Sequence, residues 1–540
     1  MLTEREIDKI LDGLTEDEMI GQMMCFQLVG KWSDEQLEEL VKKTKPGSFF
    51  VAGVSKEKIH YVTELMNKYT KLPGMIAADV EKGPGHVVEN EVDLPHAMAW
   101  GACDDAELIE KAHAETARRC RELGIHWTFS PQVDINYNMD NPSVNIRTIS
   151  DVPNQVAKIG SAAVKGFQKD GLMIAGCKHF PGDGVDDRNQ HFCTVVNNLS
   201  ADEWMDSFGK VYKEMFRAGV ASVMVAHIAL PAYDEKINEW LGYPPASISY
   251  NLQTRLLREK LGFDGCIVSD ALCMVGASAV VPYDRLSIEF VKAGGDVLLF
   301  PLPEYIDEIK SAIASGEITI ERIKESVRRI IRMKDRARLF ENREKVLKSI
   351  VHQDDLQKLA DEIGEKSINL IRDYGKILPL KLRKGDKILI VNIRKSKEPS
   401  NSHYACDLDD VEIELKNRGF EVVSYVNPVR AEYAEDLKDA VVVLINCKLS
   451  SQDYTGGSLR VDWQHISPFW RGDILRHPKV VFTSFGCPYK LYDYPYLKTY
   501  INVFSYSVST QKAFVKALLG EIPFQGKSPV SLKGYFKSEV

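Results

Sequence analysis

No stretch of this 540-residue chain reaches the ~18 consecutive apolar residues of a membrane-spanning helix. Its first residues, MLTEREIDKILDGLTEDEMIGQMM, are charged and amphipathic, without the apolar h-region of a secretion signal. Membrane classes are set aside, and a cytoplasmic location is expected. The ten cysteines never form a CxxC pair, and several sit in apolar runs, Cys177 in LMIAGC and Cys266 in GCIV. Buried free thiols are expected rather than a disulfide framework. Basic residues are scattered, and 69 Lys plus Arg against 77 Asp plus Glu leave a formal charge of -8, which argues against a nucleic-acid partner. There is no GxGxxG, no P-loop, no HxH and no HExxH, so neither a cofactor nor a metal is expected. Internal repeats and low-complexity segments are absent apart from the polar stretch IRKSKEPSNSHYACDLDD, 393–410, expected as a loop.

What is present is length and a rhythm. The chain exceeds what one ordinary core supports, so two domains are expected. Between residues 20 and 300, short apolar runs alternate with segments of helical periodicity, the pattern of parallel strands joined by crossover helices. Eight strands are predicted, at 23–28, 48–53, 74–78, 126–130, 172–177, 221–226, 265–269 and 295–300. Eight such units give a TIM (β/α)8 barrel, assigned to residues 1–335. Residues 336–371, rich in i,i+4 charge pairs, read as a helical linker. A second strand series, at 387–393, 421–426, 440–446, 479–485 and 499–505, predicts a smaller parallel α/β sandwich domain over 372–540.

Polar residues follow the strands where a barrel carries its active face. Asp79 follows the third, Lys178 and His179 the fifth, His227 the sixth, and Asp270 the seventh. A carboxylate at a strand end can attack an anomeric carbon, hold a metal, take a proton, or cap the next helix, and position alone does not choose. Three histidines near that face, His179, His191 and His227, raise a metal site, but Lys178 sets a positive charge beside it. Lys178 and His179 suit hydroxyl recognition, since ammonium and imidazole meet the donors and acceptors of a sugar.

At these residues the sequence resembles glycoside hydrolase family 3, in its β-N-acetylglucosaminidase (NagZ-like) branch. The matching stretches are GIHWTFSPQVDINYNMDNPSVNIRTISDVP 124–153, AGCKHFPGDG 175–184, VMVAHIALPAYD 223–234, PASISYNLQTRLLREKLGFDGCIVSDALCM 245–274 and AGGDVLLFP 293–301. The likeness continues more weakly into the second domain, through EKSINLIRDYGKILPL 365–380. It implies an exo-acting retaining β-glycosidase acting on a small carbohydrate or glycoside, N-acetylglucosamine first among the candidates. β-Glucosidase, β-xylosidase, glycoside phosphorylase and a catalytically weakened sugar-binding protein are the alternatives. The resemblance makes Asp270 the nucleophile and His191, on the loop after the KHFPG strand, the acid/base. It gives Asp79, Arg147, Lys178 and His179 to the sugar hydroxyls. His227, from its place after the sixth strand, is read either as a substrate-binding residue or as a histidine satisfied by hydrogen bonds at the barrel top.

Two departures stand out. The aspartate that orients the histidine in the branch is Asn189 here, so the acid is expected to be weakened, or Asp186 or Asp187 to take over if the loop is re-registered. The family's D-x-E-G-G-R is broken in AADVEKGPGHVVEN by Lys82 and Pro84, so sugar contacts on that side are expected to differ.

Overall fold

The computed structural model describes residues 1–28, 32–394, 407–451, 459–461 and 472–540. Most of the predicted 393–410 loop, residues 395–406, lies outside the described residues.

Ten strands come from the first 300 residues: β1 (Met24–Leu28), β2 (Ser48–Val51), β3 (Met75–Ala78), β4 (Trp127–Thr128), β5 (Ile174–Phe180), β6 (Val195–Val196), β7 (Ser222–Val225), β8 (Ile228–Ala229), β9 (Cys266–Ser269) and β10 (Leu298–Leu299). Eight of them pair in parallel in the order β10-β1-β2-β3-β4-β5-β7-β9. A parallel bridge from Val268 to Val297, with Ser269 N–H donating to Val297 O, joins the two ends and makes the barrel. Runs such as SFFV and MIAA are buried along their whole length, as strands covered on both faces must be. β4 is shorter than predicted. Phe129 N–H still reaches Ala78 O, but Pro131 has no N–H to carry a ladder onward. The eighth strand is also short, because Asp296 serves as a fully buried anchor. Its carboxylate accepts from Arg258 Nη2 (2.6 Å), Ser326 Oγ (2.8 Å), Ile267 N–H (2.9 Å) and Arg329 Nη1 (3.1 Å). Asp296→Ala is expected to cost about 3–5 kcal/mol, since it strands buried guanidinium groups without their counter-charge. Equilibrium denaturation of the variant checks this.

The expected linker gives helices at Arg343–Lys348 and Leu356–Ser367, and the chain then enters β11 (Asn369–Asp373). β12 (Lys387–Arg394), β13 (Glu421–Val426), β14 (Val442–Lys448), β15 (Val480–Ser484) and β16 (Thr499–Asn502) complete a second sheet in the order β11-β16-β15-β14-β12-β13. This sheet is mixed rather than parallel as predicted, because β11 runs antiparallel to β16. β11 enters the sheet directly from a helix end at its edge, so no crossover forces it parallel. Among the described residues, no helix is long and apolar enough to cross a membrane.

The second domain packs on the carboxyl-end loops of the barrel. Met98, Ala99, Ala102 and Ile146 belong to its apolar core rather than the barrel's. Asn136 Nδ2 donates to Tyr489 Oη (2.6 Å), and Ser150 Oγ donates to Pro529 O (2.6 Å). Gly101 lets these segments meet, since a Cβ there would lie 2.1 Å from Ile149 O of the barrel's own loop and 3.0 Å from Pro529 Cβ of the second domain.

Candidate active site

β9 delivers Asp270 to the barrel mouth. Its N–H donates to Val225 O (2.8 Å), continuing the ladder with β7, and the half-buried carboxylate accepts from Ala271 N–H (2.8 Å). Burial works against its charge, but the imidazoles of His179, His227 and His191 outweigh that and hold the carboxyl below its usual range. An ionised, accessible carboxylate at this place is a competent nucleophile.

Around it, β5 and β3 supply two polar networks. Asp134, fully buried beyond β4, accepts His179 Nδ1–H (2.7 Å), His179 N–H (3.1 Å) and Asp183 N–H (2.7 Å). With Nδ1 committed to a carboxylate, Nε2 is the edge of His179 left to meet a hydroxyl. On the other side, buried Lys178 donates to Asp79 Oδ1 (2.6 Å) and lies 2.8 Å from Glu81 Oε1. Arg147 grips Glu81 with Nε (3.0 Å) and Nη2 (2.8 Å), and Gln132 Nε2 donates to Glu81 Oε1 (2.8 Å). Burial opposes the Glu81 charge, yet Arg147 and Lys178 hold its carboxyl well below the ordinary value. For Asp79 burial prevails over Lys178, with Glu81 adding to it, and the carboxyl is raised. Glu81 is therefore the hub that sets Lys178 and Arg147 in place.

The loop from 182 to 194 turns through Gly182 (φ 122°) and Gly184 (φ 99°). A Cβ on these would lie 2.2 Å from the Phe208 ring and 2.1 Å from Ile135 O, respectively. Asp186 accepts Arg188 N–H and Val196 N–H and pairs with the Arg188 guanidinium (2.5 Å). Asp186 is thus occupied by these partners, away from His191. Asn189 Oδ1 accepts His191 N–H (3.0 Å) and stands 2.6 Å from His191 Nδ1. A peptide N–H can only donate, so the amide oxygen faces His191, Nδ1 carries the proton, and Nε2 remains for proton transfer. The loop is seated on the segment after Asp270. Val275 N–H donates to His191 O (3.3 Å) and Thr194 Oγ1 to Gly276 O (3.0 Å). Gly276 is needed there, because a Cβ would lie 2.3 Å from Gln190 O. The His191 ring reaches solvent. Loss of hydration within the crowded mouth nevertheless pushes its pKa down to about 4, with Asp270 opposing and Arg147, His179 and His227 adding.

His227 is the predicted site residue that the structure directs elsewhere. It is fully buried, its Nε2 lies 3.0 Å from Ala271 O and its Nδ1 3.0 Å from Ser247 Oγ. A carbonyl only accepts, so Nε2 donates and Nδ1 receives the hydroxyl proton. Neither nitrogen is left for a sugar, and the ring instead holds the turn after Asp270.

Sequence patterns alone do not single out Asp134 and Glu81. Both lie inside the matched or departing motifs, in SPQVDINYN and DVEKG, and both are carboxylates shortly past a strand, which is the signal that could have found them. Among the described residues, no group of three or more His, Cys, Asp or Glu is arranged to hold a metal ion.

Residues 15–333 match the glycosyl hydrolase family 3 N terminal domain. A β-N-acetylglucosaminidase/β-glucosidase of Cellulomonas fimi is 30% identical over 532 residues, 95% of this chain and 93% of the relative. A β-hexosaminidase of Neisseria gonorrhoeae is 32% identical over 248 residues, 44% of this chain and 65% of its own. Among solved structures, the β-glucoside phosphorylase BglX bound to 2FGlc superposes with a TM-score of 0.87 at 29% identity, covering 98% of this chain and 97% of that one. A β-N-acetylglucosaminidase from Paenibacillus sp. str. FPU-7 shares the fold, with a TM-score of 0.83 at 24% identity over 98% of this chain and all of that one, 100%.

Proposed function

The chain belongs to glycoside hydrolase family 3, and from that premise we propose that it is a retaining exo-β-glycosidase that releases a terminal nonreducing sugar, N-acetylglucosamine in the leading reading. Asp270 attacks the anomeric carbon while His191 Nε2–H protonates the departing oxygen. The neutral ring then takes a proton from the water that opens the glycosyl-aspartate. Lys178, His179, Asp79 and Arg147 hold the hydroxyls of the sugar. Asp134 and Glu81 orient these groups, and His227 fixes the turn beneath the nucleophile. The observation that carries the reading is the pairing of an ionised Asp270 with a histidine whose Nε2 is kept for proton transfer by Asn189.

A second reading is phosphorolysis of a β-glucoside, in which phosphate replaces water. Similarity to the β-glucoside phosphorylase BglX favours it, as does a physical point. Once it has given up its proton, an imidazole is neutral and does not repel an incoming phosphate as a carboxylate does. Chromogenic β-glycosides assayed with and without phosphate separate the readings, since phosphorolysis yields a sugar 1-phosphate. Turnover of the N-acetylglucosaminide or glucoside, with a fluorinated sugar labelling Asp270, is expected. If no β-glycoside is turned over and no label reaches Asp270, the reading fails.

Asn189→Asp tests the acid/base directly. A full negative charge replaces a neutral amide 2.6 Å from Nδ1 and favours the imidazolium, raising the His191 pKa by about 1–3 units. The acid form then persists to higher pH, so the alkaline limb of kcat/KM is expected to move upward by that amount. A pH–rate profile of the two enzymes reads it directly.

A further inference from the structure

Lys82 is a charge that the proposed reaction does not use. It is only 3% exposed, yet its ammonium, with three donors, makes no hydrogen bond to any described residue. Its ion-pair partner is Asp93 Oδ2 at 3.6 Å, and Asp93 Oδ1 is itself buried without a hydrogen-bond partner. An ammonium taken out of water with its donors unfilled is costly, and a bound ligand that accepts from them relieves that cost.

Its surroundings point to the ligand's charge. Lys82 lies one residue past Glu81 and three past Asp79, on the loop after β3. The face of Tyr506, from the second domain, covers it, with Nζ 5.6 Å from the ring centroid. The same ring carries Lys448 Nζ at 4.6 Å. Lys448 is the last residue of β14, next to β12. At β12 the sheet order reverses, and α/β sheets open their ligand crevices at the carboxyl ends of strands at such a point. Two buried ammonium groups, one from each domain, therefore lie over one aromatic ring, beside the loop that carries Asp79 and Glu81. His96 completes the wall, its ring 4.5 Å from Tyr506 and its Nδ1 2.9 Å from Ser505 Oγ.

We infer that Lys82, with Lys448 and the Tyr506 ring, forms an oxyanion subsite at the junction of the two domains. It takes a phosphate or carboxylate, carried either as a substituent of the glycoside or as free inorganic phosphate. The inference rests on the glycosidase reading for its location beside the sugar.

The test uses the full-length enzyme with a neutral p-nitrophenyl β-glycoside, its 6-phosphate and its uronic-acid analogue, each with and without inorganic phosphate. Wild type, Lys82→Met and Lys82→Arg are compared, with thermal midpoints confirming that each variant is folded. If the anion belongs to the substrate, Lys82→Met loses about tenfold or more in kcat/KM on the anionic glycosides, and much less on the neutral one. Lys82→Arg retains most of the preference. If the anion is free phosphate, phosphate changes turnover of the neutral glycoside in wild type, and this response disappears in Lys82→Met. Equal losses on neutral and anionic glycosides, with no response to phosphate in either enzyme, overturn the inference. Should wild type turn over no glycoside at all, it is the glycosidase reading that falls. Binding of inorganic phosphate, measured calorimetrically on wild type and Lys82→Met, then decides the subsite by itself.

Discussion

Replacing Asp270 by glycine is expected to lower kcat/KM on the order of 10⁴-fold with the fold intact, the scale seen when a catalytic carboxylate acting with a histidine is removed. The effect is chemical rather than structural because, among the described residues, the carboxylate's one protein hydrogen bond comes from Ala271 N–H, while Asp270's own N–H keeps its place in the β7–β9 ladder. The cavity left by the side chain gives a second readout. A small anion such as azide can enter from the side Asp270 occupied and displace an activated leaving group, forming a glycosyl azide of α configuration. Partial rescue by azide with that stereochemistry identifies a nucleophile, whereas loss of activity without rescue is what a merely supporting carboxylate gives. The substitution also reaches His191. The Asp270 charge raises the His191 pKa against the other influences on it, so in Asp270→Gly the His191 imidazole is expected to titrate at lower pH than in wild type, which NMR of the ring reads.

How far the site is legible in the sequence depends on which link each residue lives on. The barrel is legible because strands covered on both faces leave uninterrupted apolar runs, and SFFV or MIAA between helical segments is too short to be a core helix. Strand ends are legible for the same reason, which is why Asp79, Lys178, His179 and Asp270 can be named from the chain alone. Glu81 is not legible. Its role as hub depends on Arg147 arriving from 66 residues away in sequence and on Lys178 crossing from another strand, and no local pattern encodes either meeting. His227 shows the opposite failure. A histidine after a strand looks like a site residue, but Ser247 and the Ala271 carbonyl take both its nitrogens. The antiparallel β11 escapes the strand pattern because NLIRD is only partly buried at a sheet edge and carries a weak apolar signal. Asn189 is legible as a departure, and the structure adds the direction of its hydrogen bond. That direction fixes which ring nitrogen is left for chemistry.

Removing the His191 imidazole is expected to divide substrates by their leaving groups. For aglycones of high pKa, such as another sugar, His191→Ala is expected to lower kcat/KM by about 10²–10⁴, the contribution of a positioned general acid. A dinitrophenyl glycoside departs as a stable anion, so its first step is expected to change little. Its second step still lacks a base to activate water, so the glycosyl-aspartate accumulates and a burst of phenolate precedes slow turnover. The pH dependence carries the same assignment. With a pKa near 4 in the free enzyme, roughly one ring in a thousand is protonated at pH 7. Asp270, held below its usual range, is already ionised there. For wild type and a poor leaving group, kcat/KM is therefore expected to fall about tenfold per pH unit as pH rises above that pKa. In His191→Ala this limb vanishes and the profile is flat. A limb that survives the substitution assigns the proton to another group and removes His191 from the mechanism. If the limb is lost but leaving-group dependence is unchanged, His191 governs binding rather than proton transfer.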